Sequence, residues 1–158
     1  MLTLRYSLVN EFGSRPRNGD YEFVWDAGIV RGIYKDQPLE LPITKEVMDR
    51  SLFPIRLMTD LAQGNRLSAY TVLDRDEIVT IEVGYGDRKL VTVPFGRFEA
   101  MQVRHRHSVD GEQTFLWCAP ELDYLPVRLE QLRDGKRFMV ADLVSYDSPR
   151  AENAANQP

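Results

Sequence analysis

His105 and His107 are the only histidines of the chain. Residues two apart on a strand point the same way, so this pair could present two imidazoles to one zinc ion. Both share a face with Met101 and Val103, which makes it an inner face. No third ligand is nominated, although Glu99 lies on the same side. In the plainer alternative, the strand leaves the core here and both histidines line its rim. Arg104 and Arg106 point the other way, beside Gln102. With Arg97 they would form a small basic patch for an anionic group or a partner protein, or else an ordinary solvated strand face. Cys118 falls on the next strand, after Trp117. A nucleophilic thiol needs a base nearby and a lowered pKa. A Cys–His pair across the hairpin is conceivable, while a buried inert thiol is the default. Glu121 and Asp123, with Glu130 beyond them, sit in and after a turn-like corner where carboxylates usually cap or face water. The chain has no serine nucleophile elbow, no phosphate-cradling glycine loop and no HExxH.

Composition narrows the classes. The 158 residues suit one domain with its own core. Asp and Glu number 24 against 20 Lys and Arg, which argues against nucleic-acid binding driven by phosphate neutralisation. A single cysteine excludes an internal disulfide and leaves the redox compartment open. Residues 1 to 25 carry no signal peptide as written. No stretch approaches the roughly 20 apolar residues of a membrane span.

Alternating segments would position these groups. Leu2, Leu4, Tyr6 and Leu8 share one face, opposite Thr3, Arg5 and Ser7. After the polar stretch Asn10 to Asp20, Tyr21, Phe23 and Trp25 alternate with Glu22, Val24 and Asp26, and Asp26-Ala27-Gly28 turns into Ile29 to Tyr34. Pro38 to Leu41 is a short extended piece. The helical region is Thr44 to Gln63, interrupted by Pro54. The spacing predicts a short helix near 45–50 and a second over 54–63, with Gly64 just past its end. Leu67 to Leu73 and Glu77 to Gly84 read as strands, with Val79, Ile81 and Val83 facing in. Gly84-Tyr85-Gly86 reads as hairpin punctuation before Lys89 to Val93. Pro94-Phe95-Gly96 turns into Phe98 to His107, and Asp110-Gly111 turns into Thr114 to Cys118. Asp134-Gly135 closes the last hairpin, since a tight turn of that kind needs positive φ at both central residues. These connections are too short for parallel crossovers.

The expected fold is therefore mainly β. It is a single strongly curved antiparallel sheet or open barrel of about nine strands, with the helical segment (about 44–63) as lid or plug. Residues 1–147 form one β-rich domain and 148–158 a disordered tail. Aromatics and methionines are numerous for one curved sheet. Trp25, Phe53, Met58, Met101, Phe115 and Trp117 would line its concave face and hold an apolar ligand, or else make an ordinary packed core.

Met48 to Pro54 (MDRSLFP), Val93 to Phe98 (VPFGRF), Leu116 to Gln131 (LWCAPELDYLPVRLEQ) and the closing Asp134-Gly-Lys136 resemble the DUF3108 family over roughly Tyr21 to Tyr146. The resemblance implies a β-rich, exported, periplasmic protein of Gram-negative bacteria with no assigned activity, and hence no catalytic residue to carry over. Family members usually begin with a signal peptide and further strands. This chain starts later and reads as the C-terminal part of such a protein, which would leave a sheet edge unpaired on its N-terminal side. The expected function is non-enzymatic: an envelope protein that binds an apolar or amphipathic ligand such as a lipid, without a cofactor. The alternatives are a protein–protein interaction module of envelope assembly or maintenance and, more weakly, a hydrolase or metal enzyme using His105, His107 and Cys118.

Overall fold

Strict alternation builds the first sheet. In the computed structural model, which describes residues 2–9, 18–107 and 112–147, the strands β1 (Arg5–Leu8), β2 (Gly19–Val24), β3 (Ile29–Tyr34) and β4 (Gln37–Pro42) pair antiparallel in chain order. Tyr21, Phe23, Val30 and Tyr34 are buried on one face. On the other face one cross-strand row reads Arg5, Glu22, Arg31, Glu40. Its charges alternate, and Arg31 lies 2.8 Å from Glu22, so opposite-sign neighbours line the wet side.

The second sheet has seven strands: β5 (Met48–Asp49), β6 (Ala69–Asp74), β7 (Glu77–Val93), β8 (Gly96–His107), β9 (Glu112–Ala119), β10 (Leu125–Arg133) and β11 (Lys136–Asp142). Its order is β11-β10-β9-β8-β7-β6-β5, and the short β5–β6 pairing is parallel. Among the described residues one helix, α1 (Leu52–Ala62), and a 3₁₀ turn at Pro120–Leu122 complete the elements. The chain is mainly β, as the alternation requires. The single curved sheet of about nine strands gives way to two sheets with eleven described strands. Each sheet has two ends, so neither closes into a barrel. Pro38 and Pro42 give a physical reason for the break, since they deprive β4 of two N–H donors and make it an edge.

The chain divides into two compact units, Met1–Val83 with Arg106–Asp110 and Gly84–His105 with Gly111–Pro158. In the first, Tyr21, Phe23, Val30, Tyr34, Val47 and Leu73 form a buried cluster with Leu39, Leu41 and Ile78 packed against it. Burying such side chains contributes about 1.5–3 kcal/mol each. In the second, Val91, Val93, Phe98, Ala100, Ala119 and Val127 cluster. Consecutive residues of a strand face opposite ways, yet Ala100 and Met101 are both buried, as are Cys118 and Ala119. In β8 the buried side changes at this point, from Phe98 and Ala100 to Met101 and Val103, with Arg97, Glu99 and Arg104 exposed.

Three local expectations need correction. The segment near 45–50 is not helical: Met48 and Asp49 bridge to β6. Pro54 is tolerated only in a first turn, so α1 begins at Leu52. Gly84-Tyr85-Gly86 makes no turn, and β7 runs unbroken for 17 residues. The glycines instead admit side chains of β8. A Cβ at Gly86 would lie 3.0 Å from the Gln102 amide oxygen, and one at Gly84 would lie 3.4 Å from the Arg104 guanidinium. Finally, Leu2 and Leu4 are exposed while Thr3 is buried, because its hydroxyl turns in to Asp49. The tail 148–158 and the Asp110-Gly111 turn lie outside the described residues. Among the described residues no helix is long and apolar enough to cross a membrane.

Candidate functional site

Helix α1 organises the deepest polar cluster of the first unit. Phe53, Leu57 and Leu61 recur every four residues and are buried, and Asp60 falls on the same stripe. The helix start is held from outside. Asp49, 3 % exposed, accepts hydrogen bonds from the Ser51 and Leu52 amides at 2.9 and 3.2 Å, from the Ser51 hydroxyl, and from the Thr3 hydroxyl at 2.5 Å. Its carboxylate thus stabilises the positive end of the helix dipole. The far end closes as a Schellman motif. Gly64 adopts φ 79°, its N–H donates to the Leu61 carbonyl, and the Asn65 N–H donates to the Asp60 carbonyl at 2.8 Å.

Between those ends the Asp60 carboxylate is 4 % exposed. Its Oδ2 accepts from Arg56 Nε and from the Tyr70 hydroxyl, both at 3.0 Å. The Tyr70 ring is set edge-on against Phe53, with centroids 5.3 Å apart. Arg56 is bonded through Nε, and neither of its terminal nitrogens has a partner among the described residues. Two clefts meet at this arginine. One, of about 440 Å³, is lined by Lys45, Glu46, Val47, Met48, Arg56, Leu67, Ala69, Tyr70 and Thr71. The other, of about 290 Å³, is lined by Met48, Leu52, Ile55, Arg56, Thr59, Asp60 and Gln63. Chemically this is a guanidinium fixed in place by a buried acid, between walls of mixed character in which Met48, Leu52, Ile55 and Leu67 are the apolar members. A guanidinium so fixed can donate to an anionic or polar group from its terminal nitrogens.

Sequence reasoning did not single out Asp60, Arg56 or Tyr70. The Arg56–Asp60 spacing of four is visible in the sequence. So is the place of Asp60 one turn beyond Leu57 on the apolar stripe, the signal that this carboxylate is buried.

The residues that the sequence did nominate lie elsewhere, and none of the six aromatic and methionine candidates lines either cleft. Trp25 follows β2, stacks on Phe23 and donates from its indole to the Thr3 carbonyl at 2.7 Å. Phe53 is buried and Met58 half-buried on α1; Met101 is buried in β8; Phe115 and Trp117 are half-buried on β9. The Trp117 indole N–H is buried without a partner.

Arg97, Arg104 and Arg106 are all exposed on β8. Arg97 lies seven residues before Arg104, about 23 Å along a strand and on the opposite parity. Cys118 is fully buried, and burial pushes its thiol up to about 12, the reverse of what a nucleophile needs. Glu121 and Asp123 are exposed, and Glu130 pairs with Arg137 at 3.6 Å. His105 is half-buried, and the side chain of His107 lies outside the described residues. Among the described residues no three His, Cys, Asp or Glu side chains gather in a way that could hold a metal ion.

Residues 1–142 match the family model DUF3108, "Protein of unknown function". The chain belongs to the DUF3108 family. The DUF3108 match begins before Tyr21, where the motif resemblance starts, so it takes in β1 as well as the motifs around α1 and β9–β10. No curated protein and no solved structure matches the chain.

Proposed function

We propose that this DUF3108 protein is a non-enzymatic envelope protein that binds an amphipathic or apolar ligand, such as a lipid. The periplasmic setting is what the family resemblance implies. Ligand binding is supported above all by Arg56, held side-on by buried Asp60 where two clefts of mixed polar and apolar lining share it. A charged or polar head would meet the terminal nitrogens of Arg56 and the exposed Lys45. An acyl chain would lie along Met48, Leu52 and Ile55. The weaker catalytic reading relied on His105, His107 and Cys118, and the burial of Cys118 counts against a nucleophilic thiol there.

The test is thermal stability of the purified chain against a series of fatty acids and lysophospholipids of increasing chain length. A ligand that binds only the folded state raises the melting temperature with its concentration. The expected result is a rise that grows with chain length. Ile55→Asp, at a half-exposed position on the cleft wall, weakens it by about tenfold in affinity. No rise with any member, or a rise indifferent to Ile55→Asp, overturns the reading.

A second reading, an interaction module of envelope assembly or maintenance without a small-molecule ligand, is favoured by the last strand. Phe138, Met139 and Val140 are consecutive on β11 and 50 %, 39 % and 45 % exposed. Such a run calls for a partner.

A further inference from the structure

Every open sheet needs some device at its edges, because unpaired N–H and C=O groups on an edge strand can pair with another chain. Of the four edge strands here, β1 has four residues and β5 two, and β4 carries Pro38 and Pro42. β11 is different. It has seven residues without proline, six of them exposed and none buried, and its centre is apolar. Lys136 and Arg137 open the strand and Asp142 ends it.

That sequence is self-complementary. If two copies of β11 run antiparallel about a two-fold axis at Met139, Met139 meets itself, Phe138 meets Val140, and Lys136 meets Asp142. Lys136 is exposed and has no partner among the described residues. Asp142 accepts two bonds from Arg128, and a carboxylate has about four acceptor sites. Opposite charges therefore flank an apolar centre on both sides of the axis, and cross-strand pairs of both kinds are stabilising. The β10–β11 register steps from Gln131↔Met139 to Leu132↔Arg137, leaving Phe138 as the extra residue of a bulge. Its ring is covered by the Arg133 guanidinium, 4.8 Å from the centroid. A bulge raises the local twist and so disfavours long flat stacking of edges. An isologous pair also closes on itself, whereas a head-to-tail contact would propagate.

We infer that β11 is a homodimerisation edge, on which a second copy of this chain adds its own β11 antiparallel about Met139. The inference names the partner in the second reading and is independent of ligand binding beside α1, so either can fail alone.

The experiment uses the full chain and reads mass by sedimentation across a wide concentration range. The expected mass rises from one chain towards two. Met139→Lys sets like charges opposite each other on the axis and weakens association by about tenfold or more, with the melting temperature of the monomer unchanged. Met139→Cys provides a positional readout. Directly opposed antiparallel residues have Cα atoms about 4.5–5.5 Å apart, within the span of a disulfide. Oxidation should therefore link Met139→Cys into a covalent dimer and leave Lys136→Cys monomeric, and the buried Cys118 does not compete. A single-chain mass at every concentration overturns the inference. So does a dimer that Met139→Lys leaves intact, or equal cross-linking at positions 136 and 139.

Discussion

The hairpins of the four-stranded sheet β1–β4 and the closing β10–β11 hairpin are built alike, yet β2 and β3 treat their hydrophobic residues in the opposite way to β11. In β2 and β3 every second residue is committed: Tyr21, Phe23, Val30 and Tyr34 are inside, and Glu22 and Arg31 outside. In β11 nothing is buried. Register differs as well. The three pairings of the first sheet run without a shift. β10 shifts on both sides, between Pro126 and Arg128 against β9 and between Gln131 and Leu132 against β11. A one-residue slip in the first sheet would turn its aromatic set out to water, whereas a slip along β11 exposes little that is not exposed already. Burial on one face pins the register of the first sheet, whereas β10 carries one shift at an exposed edge and one at fully buried Val127, where the extra residue packs into the core.

The largest expected effect tests that division directly. Phe23→Ala removes a ring that is 4 % exposed and should cost about 3–5 kcal/mol. Phe138→Ala, on the exposed strand, should change stability by no more than about 0.5 kcal/mol. Urea unfolding of the two variants beside the parent measures both. Measured at concentrations where the chain is a monomer, a comparable loss from Phe138→Ala would mean that β11 is buried within the single chain, and the contrast between the regions would collapse.

Much of this was legible in the chain, for reasons that can be traced to particular residues. Gly28 at φ 65°, Gly64 at φ 79° and the Asp134-Gly135 pair at φ 51° and 74° stand where the backbone needs the left-handed region. The Lys35-Asp36 turn between β3 and β4 needs it too, at φ 49° and 62°, but carries no glycine to announce it. Gly84 and Gly86 misled in the other direction, because glycine serves turns and close approaches alike. What separates the two uses is the Gln102 and Arg104 side chains on a strand far along the chain. Hairpins fix neighbours and leave closure undetermined, so one sheet and two were equally consistent with the spacing until Pro38 and Pro42 are read as marks of an edge. The candidate site was the least legible part. A carboxylate on a helix reads as solvated, and only its place between Leu57 and Leu61 reveals that Asp60 is inside.

A smaller effect should come from the tie between the first residues of the chain and α1. Asp49→Ala leaves the Thr3 hydroxyl, the Ser51 and Leu52 amides and the helix dipole without their acceptor. The expected loss is about 1–3 kcal/mol. Asp49→Asn, which keeps an acceptor oxygen but not the charge, should fall between the alanine variant and the parent. Equal losses from both variants would assign the effect to charge rather than to capping geometry. In the β9–β11 meander, where no helix is anchored, no single polar substitution is expected to match the alanine variant.

The smallest effect is a difference in acid sensitivity between two arginine–aspartate pairs. On the first sheet, the Arg5 guanidinium donates to Asp20 and holds that carboxyl below its ordinary value. Between β10 and β11, Arg128 does the same to Asp142 through bonds of 2.6 and 2.9 Å, and also reaches the Thr92 carbonyl at 3.2 Å. A carboxyl lowered in the folded state contributes stability that is fully present above its unfolded pKa. That contribution is lost as pH falls below the ordinary aspartate range and through the lower folded value. The first pair is more than half exposed, so solvent screens it, whereas the Asp142 side chain is 27 % exposed. Asp142→Asn should therefore flatten the acid limb of the stability–pH curve more than Asp20→Asn does, with little change at neutral pH in the latter. If Asp20→Asn flattens it equally, an exposed ladder pair holds the first sheet as firmly as the half-buried pair ties β11 to β10. Electrostatics would then fail to follow the difference in exposure between the two pairs.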